Sequence, residues 1–176
     1  MEEHDNWAIV CLLVEEMRRQ GGWGGETHVQ KGTYLLKHLL GVPLQYKFIL
    51  YKHGPFSFEL LQDLDYLRCG RALAYEPQER YGPKLRVERA IESEEAGNYR
   101  DQIKFVAEAL GSKNVTELEA LSTALLVTLE RDDADAETRT KRLLELKPHL
   151  ERERALKAVT EIDQLRRRVE TQFALA

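Results

Sequence analysis

Residues 57–90 read SFELLQDLDYLRCGRALAYEPQERYGPKLRVERA, and the fold prediction starts from them. Their first part predicts a helix over Phe58–Cys69, with Ser57 as its N-cap and Gly70 as its end. The apolar residues of this segment recur at helical spacing and define a buried line: Leu61, Leu64 and Leu67, with Phe58 and Leu60 beside them. One face of the helix is therefore expected to pack on a core.

The part after Gly70 predicts a β-hairpin with arms at Ala72–Glu76 and Lys84–Ala90. In the second arm Leu85 and Val87 alternate with charged residues, which is the period of a half-buried strand. A helix followed directly by a hairpin is the order found at the end of a winged helix-turn-helix domain, where the hairpin forms the wing. This order is shared by proteins that bind DNA, dock on proteins or dimerise, so it does not define a function.

The preceding residues complete that order. Helices are predicted over Asn6–Gln20 and from Thr27 to about Leu40, where Gly41 and Pro43 stop the second one. Residues Gln45–Lys52 are rich in strand-favouring types and predict a short extended segment, followed by a turn at Gly54-Pro55. Residues 1–91 are therefore predicted to form a winged-helix-like region.

The second half predicts helices throughout, as a bundle over residues 92–176 packed on the first half as one unit. The helices are expected over Tyr99–Leu110, over Glu117–Arg131, around Leu143 and Leu146, and over about Glu151–Thr171. The fold class is thus mainly α with a small β-hairpin. The last helix is long and amphipathic, so it has two candidate partners: its own bundle, or the same helix of a second copy in a homodimer.

Composition and charge limit the functional classes to be considered. The chain has 176 residues, of which 43% are hydrophobic and 32% charged, with a net charge of −4. Residues 1–90 carry 12 basic and 12 acidic side chains, whereas the second half carries 14 and 18. This balance excludes a strongly basic nucleic-acid coat protein. No signal peptide or membrane-spanning run is evident, and the two cysteines lack metal-binding or disulfide spacing, so a cytoplasmic location is expected.

Two segments carry a family resemblance. They are HVQKGTYLL at 28–36 and FILYKHGPFS at 48–57. The combination resembles the bacterial YwgA-like proteins over nearly the whole chain and, more distantly, the Panacea domain of SocA-like antitoxins over about residues 8–75. Segments 59–64, 118–123 and 146–149 also look like the YwgA pattern. The resemblance to Panacea implies an antitoxin that neutralises a partner toxin, or an adaptor that binds a protein partner.

A protein partner is accordingly the first functional hypothesis. The candidate partner-binding residues are Trp23, Lys31, Tyr51 and His53. Trp23 lies between pairs of glycines, where a tryptophan serves either as an interface anchor or as a plug for the core. The hypothesis is a non-enzymatic regulatory or interaction module that resembles an antitoxin or adaptor.

DNA is the alternative partner. The predicted wing carries four basic candidates for phosphate contacts: Arg80, Lys84, Arg86 and Arg89. The helix in front of it, however, contains Glu59, Asp63 and Asp65 against a single Arg68. Carboxylates in that position disfavour binding in a DNA groove, because affinity for DNA depends on cationic contacts to phosphates.

An enzyme is the third hypothesis, centred on a pocket of His28, Lys31, Tyr51 and His53 in which histidine acts as acid or base. No nucleophile motif, phosphate-binding loop or metal-ligand spacing accompanies these residues. We therefore expect no catalytic residues, no metal and no cofactor.

Overall fold

The structure is a computed structural model that describes residues 1–22, 24–78 and 82–173. These residues form a mainly helical protein with two small antiparallel hairpins, so the predicted fold class is confirmed at that level. The helices are α1 (Glu3–Arg19), α2 (Glu26–His38), α3 (Phe58–Cys69), α4 (Glu94–Gly97), α5 (Arg100–Leu110), α6 (Val115–Glu130), α7 (Ala136–Leu146) and α8 (Arg152–Phe173). No helix of the described residues has both the length and the apolar character needed to cross a bilayer.

The predicted hairpin after α3 is confirmed. Strand β3 (Leu73–Glu76) pairs antiparallel with β4 (Lys84–Val87), and Leu73 lies opposite Val87. Leu85 is fully buried whereas Arg86 is exposed, as the alternation in the sequence predicts.

A second hairpin was not expected, and the turn predicted at Gly54-Pro55 is wrong. Strand β1 (Ile49–Tyr51) pairs with β2 (Gly54–Phe56), so both residues belong to a strand. The turn consists instead of Lys52 and His53. Residues 49–56 are called the docked hairpin below.

Capping residues fix the starts of α3 and α6, and the start of α6 places Glu119 within that helix. Ser57 caps α3 as predicted, since its Oγ accepts a hydrogen bond from the Leu60 N–H at 3.2 Å. Helix α6 begins earlier than expected, because Asn114 and Glu117 form its capping box. Glu119 therefore lies inside the helix rather than at its first turn, and its side chain is buried.

Buried residues from both halves of the chain form one hydrophobic core. Helix α1 packs on α5 of the second half and also on α2, while α6 packs on α2, α7 and α8. Gly32 lets α2 lie close to side chains of α1, since a Cβ there would lie 2.6 Å from Cε of Met17 and 2.9 Å from Cδ2 of Leu13. The apolar side of α8, including Val159, Ile162 and Leu165, is buried within the chain.

Candidate functional site

The docked hairpin lies against helix α6 at Gly54. This residue has φ +84°, in the left-handed region that glycine adopts without strain. A Cβ there would lie 2.9 Å from Oγ1 of Thr123 and 3.0 Å from Oγ of Ser122. The backbone of β2 thus touches α6 directly, which only glycine at this position permits.

Side chains of α2 form hydrogen bonds with the backbone of β2 and of Ser57, on the side of β2 that faces away from β1. Lys31 Nζ donates to the Pro55 carbonyl at 2.8 Å. The Gln30 amide group both donates to the Ser57 carbonyl and accepts from the Ser57 N–H, each at 2.9 Å. Residues 55 and 57 therefore direct their backbone groups away from β1, and α2 satisfies them.

A second buried lysine holds the turn of the hairpin. Lys147, which follows α7, donates from Nζ to the carbonyls of Tyr51 at 3.1 Å and Lys52 at 2.5 Å. The same Nζ lies 2.8 Å from Oε1 of Glu119, forming an ion pair in which both side chains are only 5% exposed. Glu119 thus neutralises a cation that the hairpin carbonyls help to hold.

Under the combined action of burial and neighbouring charges, the pKa values of Lys31 and Glu119 are both lowered. Burial lowers the pKa of Lys31 to about 8, although the nearby Glu119 carboxylate opposes the shift. Burial acts to raise the pKa of Glu119, but the ammonium of Lys147, helped by His149 and His53, outweighs it and holds that pKa below its usual range. Glu119 is therefore the stable negative charge of the cluster.

Two exposed histidines face the outer oxygen of Glu119. His53 Nδ1 lies 3.7 Å and His149 Nε2 lies 3.4 Å from Oε2, and each contact is an ion pair only when the imidazole is protonated. Among the described residues, no three histidine, cysteine or acidic side chains are arranged so as to hold a metal ion.

The outer surface of the docked hairpin is apolar. Ile49 is 52%, Tyr51 45% and the adjacent Phe58 49% exposed. The rings of Tyr51, Phe56 and Phe58 contact one another, with centroids 5.1–5.6 Å apart, and are called the aromatic face below. Beside Ile49, a groove of about 230 Å³ is lined mainly by apolar and aromatic side chains: Tyr34, His38, Phe48, Pro55, Leu126 and Leu129, with Glu130.

The structure brings together three of the four predicted partner-binding residues, Lys31, Tyr51 and His53, at the docked hairpin. Lys31 is only 1% exposed, so it holds the hairpin and cannot itself contact a partner while the hairpin stays docked. Trp23 lies outside the described residues. His28 has a different neighbour, since its Nε2 lies 3.0 Å from the Lys113 carbonyl.

The basic residues of the β3–β4 hairpin are largely engaged within the chain. Arg86 pairs with Glu88 at 2.6 Å, and Arg89 donates to the Gly70 carbonyl at 3.3 Å. Lys84 also has an interaction partner, and Arg80 lies outside the described residues.

Sequence reasoning missed Glu119 and Lys147 as members of the cluster. Both lie in segments that carried the resemblance, but neither was given a role. A usable signal exists for Glu119: it follows the capping box within the apolar run Leu118–Leu126, where an acidic side chain needs a buried partner. Nothing in the sequence pairs it with Lys147, 28 positions away.

Comparison with known proteins finds no relative of this chain. The chain matches no protein-family model, no curated protein and no solved structure.

Proposed function

We propose that the chain is a non-enzymatic interaction module of the cytoplasm, antitoxin- or adaptor-like, that binds a protein partner through the docked hairpin. The observation that carries this proposal is the row of exposed apolar side chains at Ile49, Leu50 and Tyr51. All three residues of β1 are exposed, although isoleucine, leucine and tyrosine favour burial. Ile49 and Tyr51 share one face of the strand, and Tyr51 contacts the exposed Phe58, which gives an apolar patch of the kind found at interaction sites.

The anchoring of the hairpin supports the same role. Two buried lysines, a glutamine and a glycine contact hold β2 and the turn, whereas β1 itself packs mainly on β2. A surface that is rigid before binding loses little conformational entropy on binding. Tyr51 and Phe58 would supply the aromatic anchors that interfaces commonly use.

A role in binding DNA has less support. We retain the winged-helix-like arrangement of residues 1–91 as a proposal, with α3 in front of the β3–β4 hairpin. Arg86 and Arg89 already have partners in the chain, and α3 exposes Glu59 and Asp65. A DNA-binding surface needs free cations facing the phosphates.

An enzymatic role also has less support. The residues of the third hypothesis divide between two places, since His28 contacts Lys113 while His53 contacts Glu119. Lys31 is inaccessible and its ammonium already donates to Pro55. A general acid or base must reach its substrate within hydrogen-bond distance.

The proposal is tested by photo-cross-linking in cells that carry the native gene neighbourhood. A photoreactive phenylalanine analogue at Phe58 is expected to cross-link one discrete protein. The same analogue at Arg167, an exposed residue on α8, is the matched control and should cross-link none. Adding Tyr51→Asp should abolish the product by placing a charge in the apolar contact.

Absence of a discrete product at Phe58, or equal products at Phe58 and Arg167, would contradict the proposal. Duplex DNA provides a separate arm. Salt-sensitive binding of the purified chain to DNA that Arg86→Ala weakens would favour the DNA-binding alternative instead.

A further inference from the structure

The register of the docked hairpin leaves one backbone edge free. Leu50 lies opposite Pro55, which has no N–H and therefore fits only where the two strands do not exchange hydrogen bonds. Backbone groups alternate along a strand, and those of Pro55 and Ser57 face α2. The N–H and C=O of Leu50 must then face away from β2.

No other element covers this edge within the described part of the chain. Neither backbone group of Leu50 bonds to another element there, and the side chain is 39% exposed. An uncovered edge strand with apolar side chains is a template for pairing with another extended segment. Proteins normally shorten, charge or cover such edges; β1 is short, but its three residues are uncharged and exposed.

The two sides of the edge offer apolar contacts for an added strand. The aromatic face lies on one side of the hairpin, and Ile49 and Pro55 of the hairpin also line the groove with Leu126 and Leu129. Leu129 is 46% exposed, although its position on α6 suits the buried leucine line of that helix. Successive side chains of a strand alternate between faces, so an added strand would place apolar residues at every second position.

Charge indicates which end of that strand is acidic. At the turn, Lys52, His53 and His149 are exposed, while the neighbouring Glu119 is buried and paired with Lys147. At the other end a carboxylate is already present, since Glu59 accepts a hydrogen bond from the backbone N–H of Lys47 at 2.7 Å. Glu130, which lines the groove, is offset by Arg142 at 3.7 Å.

From this arrangement we infer that the partner binds by β-strand addition at Leu50. The occupant is an extended protein segment with alternating apolar residues and a carboxylate at the end that lies beside Lys52 and His53. This inference rests on the proposed function and specifies how the partner is recognised: main-chain hydrogen bonds supply affinity, and side chains supply specificity.

The test uses random decapeptides displayed on phage and selected on the immobilised full chain. Enriched peptides are expected to alternate apolar residues and to carry Asp or Glu at one end. The strongest is then synthesised and its Kd measured by fluorescence anisotropy. Leu50→Pro should weaken binding at least tenfold, because it removes the outward N–H without touching a hydrogen bond between β1 and β2. Lys52→Ala should weaken binding about threefold or more.

Leu50→Ala is the matched control, since it removes the side chain but keeps the N–H, and it should weaken binding less than threefold. Thermal unfolding checks that both variants fold. If Leu50→Pro does not fold, amide hydrogen exchange on the wild-type chain decides. Added peptide should slow exchange at Leu50 and leave it unchanged at Tyr51, whose N–H already faces β2.

Several results would overturn the inference. They are the absence of any enriched peptide, enrichment of amphipathic helical peptides, equal losses for Leu50→Pro and Leu50→Ala, or unchanged exchange at Leu50. Self-association of the chain that Leu50→Pro abolishes would identify a second copy as the occupant instead. If cross-linking at Phe58 succeeds while these results are found, the proposed function stands and only strand addition fails.

Discussion

At the residue scale, Glu119 joins several segments that are separate in the sequence. Its carboxylate pairs with Lys147 and faces histidines from the hairpin turn and from the segment after α7. It also opposes the loss of charge on Lys31. Three buried charges depend on one another, because Glu119 pairs with Lys147 and acts electrostatically on Lys31, and each cation would be costly to bury without the anion.

Replacing Glu119 by glutamine is therefore expected to destabilise the fold by about 3 kcal/mol, since it leaves two buried cations without an anion. Urea denaturation followed by circular dichroism measures this loss. The control is Glu145→Gln, because Glu145 is 65% exposed and pairs with Arg142 at the surface. That change should cost under about 1 kcal/mol. Equal effects of both substitutions would show that Glu119 has no special role.

Lys31 gives the cluster a dependence on pH. Its pKa is about 8 when folded and 10.5 when the chain is unfolded, so between these values the unfolded chain binds more protons. Stability from this residue therefore rises with pH over that window, by up to about 3 kcal/mol. The reason is that the buried ammonium loses its unfavourable charge.

The measurement is the free energy of unfolding of wild type minus that of Lys31→Met, taken at pH 7, 8, 9 and 10. The difference cancels tyrosines such as Tyr75, whose pKa burial raises to about 12. This difference in the free energy of unfolding should increase steadily from pH 7 to pH 10, because wild type gains stability relative to Lys31→Met. A constant or falling difference would mean that Lys31 keeps its charge throughout.

At the element scale, the docked hairpin depends on contacts with two helices and with Lys147 rather than on its own length. Two strands of three residues would not be stable alone. Helix α6 receives Gly54, α2 bonds Pro55 and Ser57, and Lys147 after α7 bonds the turn. The surface presented by β1 is therefore set by helices that are distant in sequence.

Gly54→Ala should disturb this docking by about 2–4 kcal/mol, combining a left-handed φ with contacts below 3.1 Å to α6. Gly41→Ala is the control, because Gly41 also has positive φ, at +68°, but nothing within 4 Å of its added Cβ. It should cost about 1–2 kcal/mol. Both substitutions carry the cost of a positive φ, so the difference between their thermal melts measures the steric cost at Gly54. Identical melts would contradict the close approach of Gly54 to α6.

At the scale of the whole molecule, a single core links the two halves. Both tryptophans belong to residues 1–91, whereas α5–α8 supply much of the helix signal. Tryptophan fluorescence and circular dichroism should therefore give the same urea midpoint. Met17→Ala, on the buried side of α1, should lower both midpoints together, by about 3 kcal/mol of stability. Separate midpoints would show that residues 1–91 and 92–176 unfold independently.

Local patterns predicted α3 and the β3–β4 hairpin well because neighbouring residues determine both. Ser57, Gly70 and the spacing of leucines define the helix, and alternation around Leu85 defines the strand. The Gly54-Pro55 pair misled the prediction, since both residues are common in turns. Here glycine serves the close approach to α6, and proline occupies a strand position that needs no N–H.

The sequence by itself determined the helical class, the main helices and the hairpin after α3, because capping and periodicity act over a few residues. It also brought Lys31, Tyr51 and His53 forward as candidates. Only the tertiary structure decided that Lys31 is buried, that Glu119 and Lys147 complete its cluster, and that β1 has a free edge. Burial, charge pairing and edge exposure arise between segments far apart in the chain, so no local pattern records them.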